Sequence, residues 1–370
     1  MATLADPGRL SLRSPAMTTL RIALLGTGWI ASVHARSITR SGAKIVAVCG
    51  RDAAKAAAFI KDHTPGAPGE PGAQAFGDFA AMLDEAKPDA VYIAIPPHAH
   101  RGQTELAAAR GIHVFLEKPI ALDVDQARAI AGAVRRAGVV SQVGFHMRHG
   151  FAVAKLKQMI ADGSAGRPTV FQGSFHCNCL HQPWWRDKDR CGGQVFEQVI
   201  HVYDLACYLM GDATAVWGQL DNLVHQDVPG YTVEDTSVGT LRHVRGAMST
   251  IVGSNCAVPM EWATRFTVVC EKVTATFSDL NYAEFAYPVG DSASRRETVA
   301  GDTDMHAAET ADFLRAIRTK GRANAPVEDG LRSLEVVSAV VESAHQGGRP
   351  TMLSAPLITS VSAAAAVAKA

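Results

Sequence analysis

The chain has 370 residues, of which 36 are basic and 36 acidic, so its formal net charge is zero. This length leaves room for two packed domains, whereas the balanced charge and the lack of a basic stripe argue against nucleic acid as a partner. No apolar run approaches the roughly 20 residues of a membrane-spanning helix, so no membrane association is expected. The sequence has seven cysteines, and an odd number in a long chain is typical of a protein whose thiols stay reduced. This predicts a cytoplasmic protein.

The N-terminal part of the sequence alternates short apolar strands with helices. Strands are predicted at residues 20–26, 44–50, 89–95, 111–117 and 138–145, with helices at 29–39, 53–61 and 79–85 among them. Such alternation is typical of a parallel sheet covered by helices on both faces. We therefore predict a doubly wound α/β domain over residues 17–146. Residues 1–16 have no apolar core that would make a signal peptide, and we predict a disordered tail there.

The pattern changes after Gly150. A helix at 152–161 leads into longer segments in which apolar and polar residues alternate, at 167–179, 236–244, 246–258 and 264–271, and helices at 307–319 and 330–346 follow. This alternation is typical of an antiparallel sheet. We predict a second α/β domain with a large, mostly antiparallel sheet over residues 147–352, and a tail at 353–370. An uncovered face of such a sheet invites a symmetric partner, so a homo-oligomer, either a dimer or a tetramer, is expected.

A glycine-rich turn joins the first strand to the first helix, where dinucleotide-binding fingerprints are found. In its sequence GTGWIA, Gly26 permits the tight turn and Gly28 lets the backbone approach a pyrophosphate. Glycine turns open many α/β units, so this motif gains its weight from its place on the first strand of an alternating domain. The predicted cofactor contacts are Gly26, Thr27, Gly28, Trp29 and Ile30.

The end of the second strand indicates which dinucleotide is bound. An acidic residue there normally holds the ribose 2′-hydroxyl of NAD, whereas arginine accommodates the 2′-phosphate of NADP. This sequence has Gly50 at the usual acidic position and Arg51 beside it. We therefore predict NADP, with Arg51 as a contact. Asp52 leaves NAD open, although it also suits the N-cap of the next helix.

Three stretches of the sequence resemble one known family. They are GTGWIA at 26–31, DAVYIAIPPHAH and GIHVFLEKPIAL within 89–122, and GGQVFEQVIHVYDLACYLMG at 192–211. Together they resemble the glucose–fructose oxidoreductase / inositol dehydrogenase / MocA (Gfo/Idh/MocA) family, and the triplet Glu-Lys-Pro at 117–119 is the most specific mark. The resemblance implies a Rossmann domain followed by an open-faced substrate-binding domain. It also implies NAD(P)-dependent oxidation or reduction of a sugar, sugar derivative or cyclic polyol.

The resemblance implies further site residues and carries one departure. The cofactor contacts that it adds are Ile95, Pro96, His100, Glu117 and Lys118. The family helix usually reads Asp-x-Gly-x-His, whereas residues 197–201 read Glu-Gln-Val-Ile-His. The substrate is therefore expected to differ from those of the best-known members.

Lys118 and one helix face carry the predicted chemistry. Most lysines are solvated and inert, but Lys118 follows a parallel strand at the ligand-binding edge, where it can hydrogen-bond the oxygen that becomes a carbonyl. Glu197, His201 and Asp204 are spaced to share one face of an otherwise apolar helix. An ordinary polar stripe is the alternative, but buried titratable groups are costly unless paired or used. We predict Lys118, His201 and Glu197 as catalytic, with His201 as acid/base and Glu197 binding a hydroxyl or orienting the imidazole.

A cysteine- and histidine-rich segment allows two interpretations. One is a zinc site formed by Cys177, Cys179, His181 and Cys191. Alternate residues of a strand point the same way, however, so the first two thiols would share one face and His176 would lie on the other. We favour packing and no metal, since buried free cysteine behaves as a small hydrophobe. The resemblance then places His176 toward the substrate, and Trp185 offers an apolar ring face to a sugar.

Arg148 lies at the junction of the two predicted domains, where its side chain can reach the cleft. We predict that it binds substrate, with a local ion pair as the alternative. Two other functions stay open beside a sugar or polyol dehydrogenase. One is a glycoside-cleaving enzyme that keeps NAD tightly bound and works by oxidation and elimination, as some members of the resembled family do. The other is a non-enzymatic dinucleotide-binding regulator, which the first domain alone would permit.

Overall fold

The computed structural model describes residues 19–64, 72–290 and 293–354. The predicted N-terminal tail lies outside the described residues, as does nearly all of the predicted C-terminal tail. Two sheets organise the described chain, one built from its N-terminal part and one from its C-terminal part.

The first sheet is parallel and is covered by helices. Its strands are β1 (Arg21–Leu25), β2 (Lys44–Cys49), β3 (Gln74–Phe76), β4 (Ala90–Ile93), β5 (His113–Leu116) and β6 (Ser141–Val143). The helices between them are α1 (Trp29–Arg40), α2 (Ala53–His63), α3 (Phe79–Ala86), α4 (Gln103–Ala108) and α5 (Val124–Ala137). The strand order β3-β2-β1-β4-β5-β6 reverses between β1 and β4, and ligands of such sheets bind at the carboxyl ends of the strands beside this reversal. The predicted doubly wound fold is confirmed.

Helix caps distinguish α1 from its neighbours. Helices α2, α3 and α5 each begin at an aspartate whose carboxylate accepts a hydrogen bond from a backbone N–H three residues on: Asp52, Asp78 and Asp123. Helix α1 begins at Gly28, which offers no side-chain cap. Its first N–H groups therefore remain available to a ligand at the edge of the sheet.

The second sheet is mostly antiparallel. Its strands are β7 (Pro168–His176), β8 (Ala213–Asp221), β9 (Thr236–His243), β10 (Met248–Ser254), β11 (Ala263–Cys270), β12 (Thr274–Phe277), β13 (Tyr282–Val289), β14 (Ala293–Ala300) and β15 (Thr351–Met352). They follow the order β14-β13-β12-β11-β7-β10-β9-β8-β15, in which β7 and β10 form a parallel pair. The remaining helices are α6 (Phe151–Ala161), α7 (Lys188–Cys191), α8 (Ile200–Met210), α9 (Met305–Thr319) and α10 (Val327–His345). The predicted open-faced sheet is confirmed.

One face of this sheet carries the helical layer and the other is exposed. Helix α8 packs against β7 and β10, and α10 packs against β8. On the other face, cross-strand neighbours place several large apolar side chains side by side in solvent: Val170, Trp217, Val238, Met248 and Val252.

Several elements differ from their predicted bounds. Strand β7 ends at His176, so the cysteines that follow it are not part of the strand. Strands β8 and β12 to β15 were not predicted. Helix α9 lies in the second predicted domain by sequence, yet Phe313, Leu314 and Ile317 pack into the core of the first sheet. None of the helices in the described residues is long and apolar enough to cross a membrane.

Candidate active site

Lys118 directly follows β5 at the carboxyl edge of the first sheet. Its ammonium donates hydrogen bonds to the carboxylate Oε1 of Glu197 at 2.9 Å and to the backbone oxygen of Glu197 at 2.5 Å. Both side chains are nearly buried, at 11% and 8% exposure. This pair joins the end of a parallel strand to the segment that precedes α8, so it links the two sheets.

A wide helical turn presents Glu197. Residues Val195–Val199 form a π-helical turn that leads into α8, and such turns are frequent at functional sites. Gly193 precedes it with a φ of 116°, and a side chain there would collide with the carboxylate of Glu234. That carboxylate accepts a hydrogen bond from the backbone N–H of Val195 at 2.7 Å and so fixes the start of the turn.

The predicted alignment of three titratable groups is wrong for one of them. Asp204 does not join Lys118. Its carboxylate accepts hydrogen bonds from Arg148 at 2.6 and 2.8 Å and from Ser333 at 2.9 Å. Glu197 and His201 remain on the side of the helix that faces Lys118, whose charge acts on both.

Burial sets the protonation of this site. It raises the pKa of Glu197 to about 7, although the charge of Lys118 opposes this rise. Burial also lowers the pKa of His201 well below its usual value, and the charge of Lys118 acts in the same direction. His201 is therefore a neutral imidazole at neutral pH and is in the form that accepts a proton.

Three buried polar atoms converge on this site without a hydrogen-bond partner among the described residues. They are Oε2 of Glu197, Nδ1 of His201 and the indole Nε1 of Trp185. The Trp185 indole N–H approaches the Glu197 carboxyl closely enough to lower its pKa, although the two groups do not form a well-aligned hydrogen bond. Buried polar groups are normally paired, so unpartnered donors and acceptors beside Lys118 indicate that a polar ligand completes the site.

Glu117 is engaged within the protein. Its Oε1 lies 2.6 Å from Nε2 of the buried His34, and its Oε2 accepts a hydrogen bond from the backbone N–H of Lys118 at 3.2 Å. Burial opposes ionisation, but His34 prevails and lowers the pKa of Glu117. Glu117 thus positions the backbone of Lys118, and its contact with the cofactor stays a prediction. The sequence carried one signal for His34, since it lies on the buried face of α1 with Ala31, Ala35 and Ile38.

The turn before α1 fits a dinucleotide pyrophosphate. Gly26 has a φ of 120°, and a Cβ there would lie 2.2 Å from the backbone oxygen of Ala94. Gly28 is extended and faces open space, where a methyl group would meet no described atom within 4 Å. Trp29 is 74% exposed at the start of the helix. An uncapped helix N-terminus beneath an open glycine is the arrangement that receives a pyrophosphate, so Gly26, Thr27, Gly28, Trp29 and Ile30 would hold it.

The other predicted cofactor residues line the same edge. Ile95 and Pro96 are half-buried just after β4, and Arg51 is exposed just after β2. The carboxylate of Asp52 accepts a hydrogen bond from the backbone N–H of Lys55 at 2.8 Å, which confirms its cap role.

His100 is buried rather than open to a ligand. Burial lowers its pKa to about 4, and the backbones of Ile95 and Ile120 lie within hydrogen-bonding reach of its ring. These contacts connect the segments after β4 and β5, so His100 supports the edge from within. Its direct contact with a cofactor stays a prediction, which this burial does not favour.

Arg148 does not reach the Lys118 site. Its guanidinium forms ion pairs with Asp204 and Asp329, both at 2.6 Å, and donates to the backbone oxygen of Asn324 at 2.7 Å. The side chain is 4% exposed. The predicted substrate contact is therefore wrong in its geometry, because Arg148 is held in a buried ion-pair cluster that ties α8 to α10.

Aromatic rings gather around the segment that follows β7, the strand that ends at His176. The ring of Trp185 lies 5.2 Å from that of His181 and 5.5 Å from that of Trp184. His181 also contacts Trp262, with ring centroids 5.9 Å apart. His176 ends β7 half-buried, and within the described chain its side chain makes no hydrogen bond or ring contact.

The cysteines pack in different places. Cys177 contacts Asn255 and Gln194 through its sulfur, whereas the sulfur of Cys191 contacts the backbone of Trp185 and Gly193. Cys177 and Cys179 belong to the main core, and Cys191 belongs to a separate small cluster. This separation supports the interpretation that the cysteines pack as core residues, and it argues against the four-residue zinc site.

His225, Asp235 and Cys256 also bring possible metal ligands together. The Asp235 carboxylate accepts hydrogen bonds from the three successive backbone N–H groups of residues 223–225, at 2.7 to 3.0 Å. The Nε2 of His225 lies 2.9 Å from the backbone oxygen of Asn255. These groups are already used in holding the loop, and they explain the cluster without a metal.

Comparison with known proteins identifies the family. The model of the oxidoreductase family with an NAD-binding Rossmann fold matches residues 20–145, and the model of the GFO/IDH/MocA C-terminal domain matches residues 153–276. Inositol 2-dehydrogenase 4 of Saccharopolyspora erythraea is 31% identical over 69% of this chain and 72% of that protein. The chain belongs to the Gfo/Idh/MocA oxidoreductase family. The resemblance seen in the sequence is thereby confirmed.

Other members are similar over nearly the whole chain. D-glucoside 3-dehydrogenase of Escherichia coli is 26% identical over 90% of this chain and 98% of that protein. The solved structure of levoglucosan dehydrogenase in complex with NADH and levoglucosan has a TM-score of 0.83 and 21% identity, and covers 91% of this chain and 99% of that one. The latter likeness supports the two-sheet fold of this family member.

Proposed function

We propose that this oxidoreductase transfers a hydride between a nicotinamide dinucleotide and a secondary alcohol of a sugar, sugar derivative or cyclic polyol. One observation carries the proposal: the buried Lys118–Glu197 pair lies beside unpartnered polar atoms of Glu197, His201 and Trp185. A substrate with several neighbouring hydroxyls would satisfy these atoms.

The residues of the chain supply the proton chemistry. When bound, the nicotinamide supplies or accepts the hydride. Lys118 would donate a hydrogen bond to the reacting oxygen, and the neutral imidazole of His201 would accept the hydroxyl proton. Glu197 positions the Lys118 ammonium and offers Oε2 to a second hydroxyl.

The aromatic residues favour a ring-shaped substrate. Sugars and cyclic polyols present apolar C–H faces beside their hydroxyls, and aromatic side chains combine an apolar face with a polar edge. Trp185 has both features here, because its ring contacts His181 and its N–H points toward Glu197. The relatives named for glucoside, inositol and levoglucosan dehydrogenation act on compounds of this kind.

For the cofactor we propose NADP over NAD. Arg51 is exposed at the end of β2, where it can meet a 2′-phosphate, while the Asp52 carboxylate caps α2. Titration of both oxidised dinucleotides into the wild-type protein and into Arg51→Ala tests this preference. The substitution should weaken NADP binding selectively, with Lys61→Ala as the exposed-cation control. Tighter binding of NAD to the wild-type protein would refute the preference.

We further propose a homo-oligomer in a reducing compartment. The exposed apolar side chains on the open face of the second sheet favour a symmetric partner. All seven cysteines are unpaired, which suits the cytoplasm. Sedimentation of the wild-type protein and of Trp217→Lys would test the assembly, and a monomeric wild-type protein would contradict it.

The function is tested by a panel of inositols, aldoses and glycosides, with the absorbance of the reduced nicotinamide as the readout. A dehydrogenase changes this absorbance in proportion to substrate oxidised. Cleavage of a nitrophenyl glycoside with no net change in nicotinamide would instead identify the oxidation–elimination mechanism. Dinucleotide binding with no reaction on any compound would favour a regulator.

A further inference from the structure

A buried group of histidines and glutamates extends away from Lys118. It draws on α1, the end of β5, the 3-10 turn His146–His149, α8 and α9, which are far apart in sequence. Its members are His34, Glu117, His146, His201, His306 and Glu309. The proposed reaction uses His201 directly and Glu117 as a support, and it leaves the other members without a role.

Three of the imidazoles form a line from the site toward the surface. The ring centroids of His201 and His146 are 4.7 Å apart, and those of His146 and His306 are 4.4 Å apart. The rings contact each other at these separations, and a water molecule that bridges their nitrogens would complete the connection. His201 is 5% exposed, whereas the side chain of His306 is 23% exposed. The line therefore begins in the buried site and ends at solvent.

Glu309 holds the outer end of the line. It is fully buried on α9, and its Oε1 lies 3.1 Å from Nδ1 of His306. The second oxygen, Oε2, has no hydrogen-bond partner among the described residues. A buried carboxylate one helical turn from a partly exposed histidine favours the protonated imidazole at this position.

We propose that His146 and His306 form a proton path that connects His201 with solvent. This rests on the proposed function, in which oxidation of a secondary alcohol sends a hydride to the nicotinamide and leaves the hydroxyl proton on the protein. The proton passes from the substrate oxygen to His201, then through His146 to His306, and from there to water. In the reducing direction the same path supplies the proton.

The charges around each ring set the direction of this transfer. His146 faces Lys118, His34, His149 and His306, and burial together with these neighbours lowers its pKa well below its usual value. His306 faces Glu309, Glu117 and Asp304, which outweigh burial and raise its pKa. His201 shares the low pKa of His146. A proton released at the site is therefore stabilised at the outer end of the line.

The first experiment needs no cofactor. Side-chain titrations of His146 and His306 would be followed by NMR in the wild-type protein and in His306→Asn. Since each ring disfavours a charge on the other, loss of His306 should make His146 easier to protonate, whereas the exposed-histidine control His345→Asn should leave it unchanged. An identical His146 titration in wild type and His306→Asn would overturn the path.

The second experiment follows the proton and the hydride separately. The wild-type protein, His306→Asn, His146→Asn and His345→Asn would be mixed with oxidised nicotinamide dinucleotide and an active polyol in dilute buffer, with a pH-indicator dye and nicotinamide absorbance as readouts. In either path variant, proton release should slow by about tenfold or more, and added imidazole should restore it. Full-speed release in dilute buffer from both folded path variants would overturn the proposal.

The two experiments separate this proposal from the proposed function. If the wild-type protein oxidises no polyol, the function fails, and the NMR titrations alone decide whether the three imidazoles are coupled. If His306→Asn fails to fold, as judged by circular dichroism, His146→Asn tests the same path from its middle.

Discussion

The ammonium of Lys118 lies 2.9 Å from the carboxylate Oε1 of Glu197. This ion pair connects the residue after β5 of the parallel sheet with the wide turn that precedes α8 under the antiparallel sheet. The reacting groups of the proposed site therefore come from both sheets, and neither sheet alone assembles them.

Lys118 and His201 are expected to act on one oxygen. Loss of a positioned acid or base typically lowers turnover by about 10²–10⁴-fold, and we expect Lys118→Ala and His201→Ala each to fall in that range. Dinucleotide binding should be largely retained, because the pyrophosphate contacts lie at the turn before α1. Single-turnover rates and cofactor titrations measure both quantities.

The double variant of Lys118 and His201 distinguishes a shared proton path from two separate ones. Groups that act as a unit are non-additive, so the double variant should lose far less than the product of the single losses. Near wild-type turnover in a folded Lys118→Ala protein would remove this residue from the chemistry.

Glu197 should make stability depend on pH. Its pKa is raised by burial from 4.5 to about 7, so the unfolded chain ionises first and stability falls as pH rises through that window. Glu197→Gln lacks this dependence. Between about pH 5 and pH 8, the unfolding free energy of wild type relative to Glu197→Gln should fall by about 2–3 kcal/mol. Urea denaturation at a series of pH values measures it, and a constant difference would contradict the buried ionisation.

Arg148 should matter for stability more than for substrate binding. Removing one partner of a buried ion pair leaves an uncompensated charge and typically costs about 3–5 kcal/mol. Arg148→Ala would leave Asp204 without an ion-pair partner, whereas Asp329 would keep Arg322 and Arg332. The exposed ion pair of Arg295 offers a control, since Arg295→Ala should cost less than about 1 kcal/mol. Denaturant unfolding checks both values, and an Arg148→Ala protein of full stability with a raised Michaelis constant would restore the substrate contact.

Gly26 and Gly28 should respond differently to alanine. A methyl group at Gly26 would meet the backbone oxygen of Ala94, and its φ of 120° is unfavourable for alanine, so Gly26→Ala should lose more than about 1 kcal/mol of stability. Gly28 faces open space. Gly28→Ala should keep its stability but bind dinucleotide more weakly, because the methyl group occupies the approach of the pyrophosphate. Thermal unfolding and dinucleotide titration separate the two cases, and unweakened binding in Gly28→Ala would place the pyrophosphate elsewhere.

Local sequence patterns predicted the fold, but they did not predict every contact within the candidate site. The first sheet follows from solid apolar strands, and Lys118 follows from its place after one of them. The partners of Arg148 could not be read from sequence, because Asp204 and Asp329 lie 56 and 181 residues away in the chain. The π-helical turn also has no periodic signature, so the position of Glu197 relative to His201 could not be derived from regular helical spacing.

Burial explains the remaining differences. His34 and His306 are ordinary helix residues by spacing, and their meeting beside Glu117 depends on α9 returning to the first sheet. Strands such as β12 are short. Their formation depends on pairing with neighbouring strands of the sheet more than on their own residues. Long-range contacts of this kind are set by the whole fold.

Helix α9 also constrains the order in which the chain can fold during synthesis. Phe313 packs against Tyr92 and Phe115, and Leu314 and Ile317 fill the same core as the first strands. The N-terminal sheet emerges from the ribosome long before these residues do. The core of the first sheet stays incomplete until residue 317 has been made. A nascent chain therefore cannot complete the cofactor-binding half first, because α9 is synthesised only after the strands β7 to β14 of the second sheet.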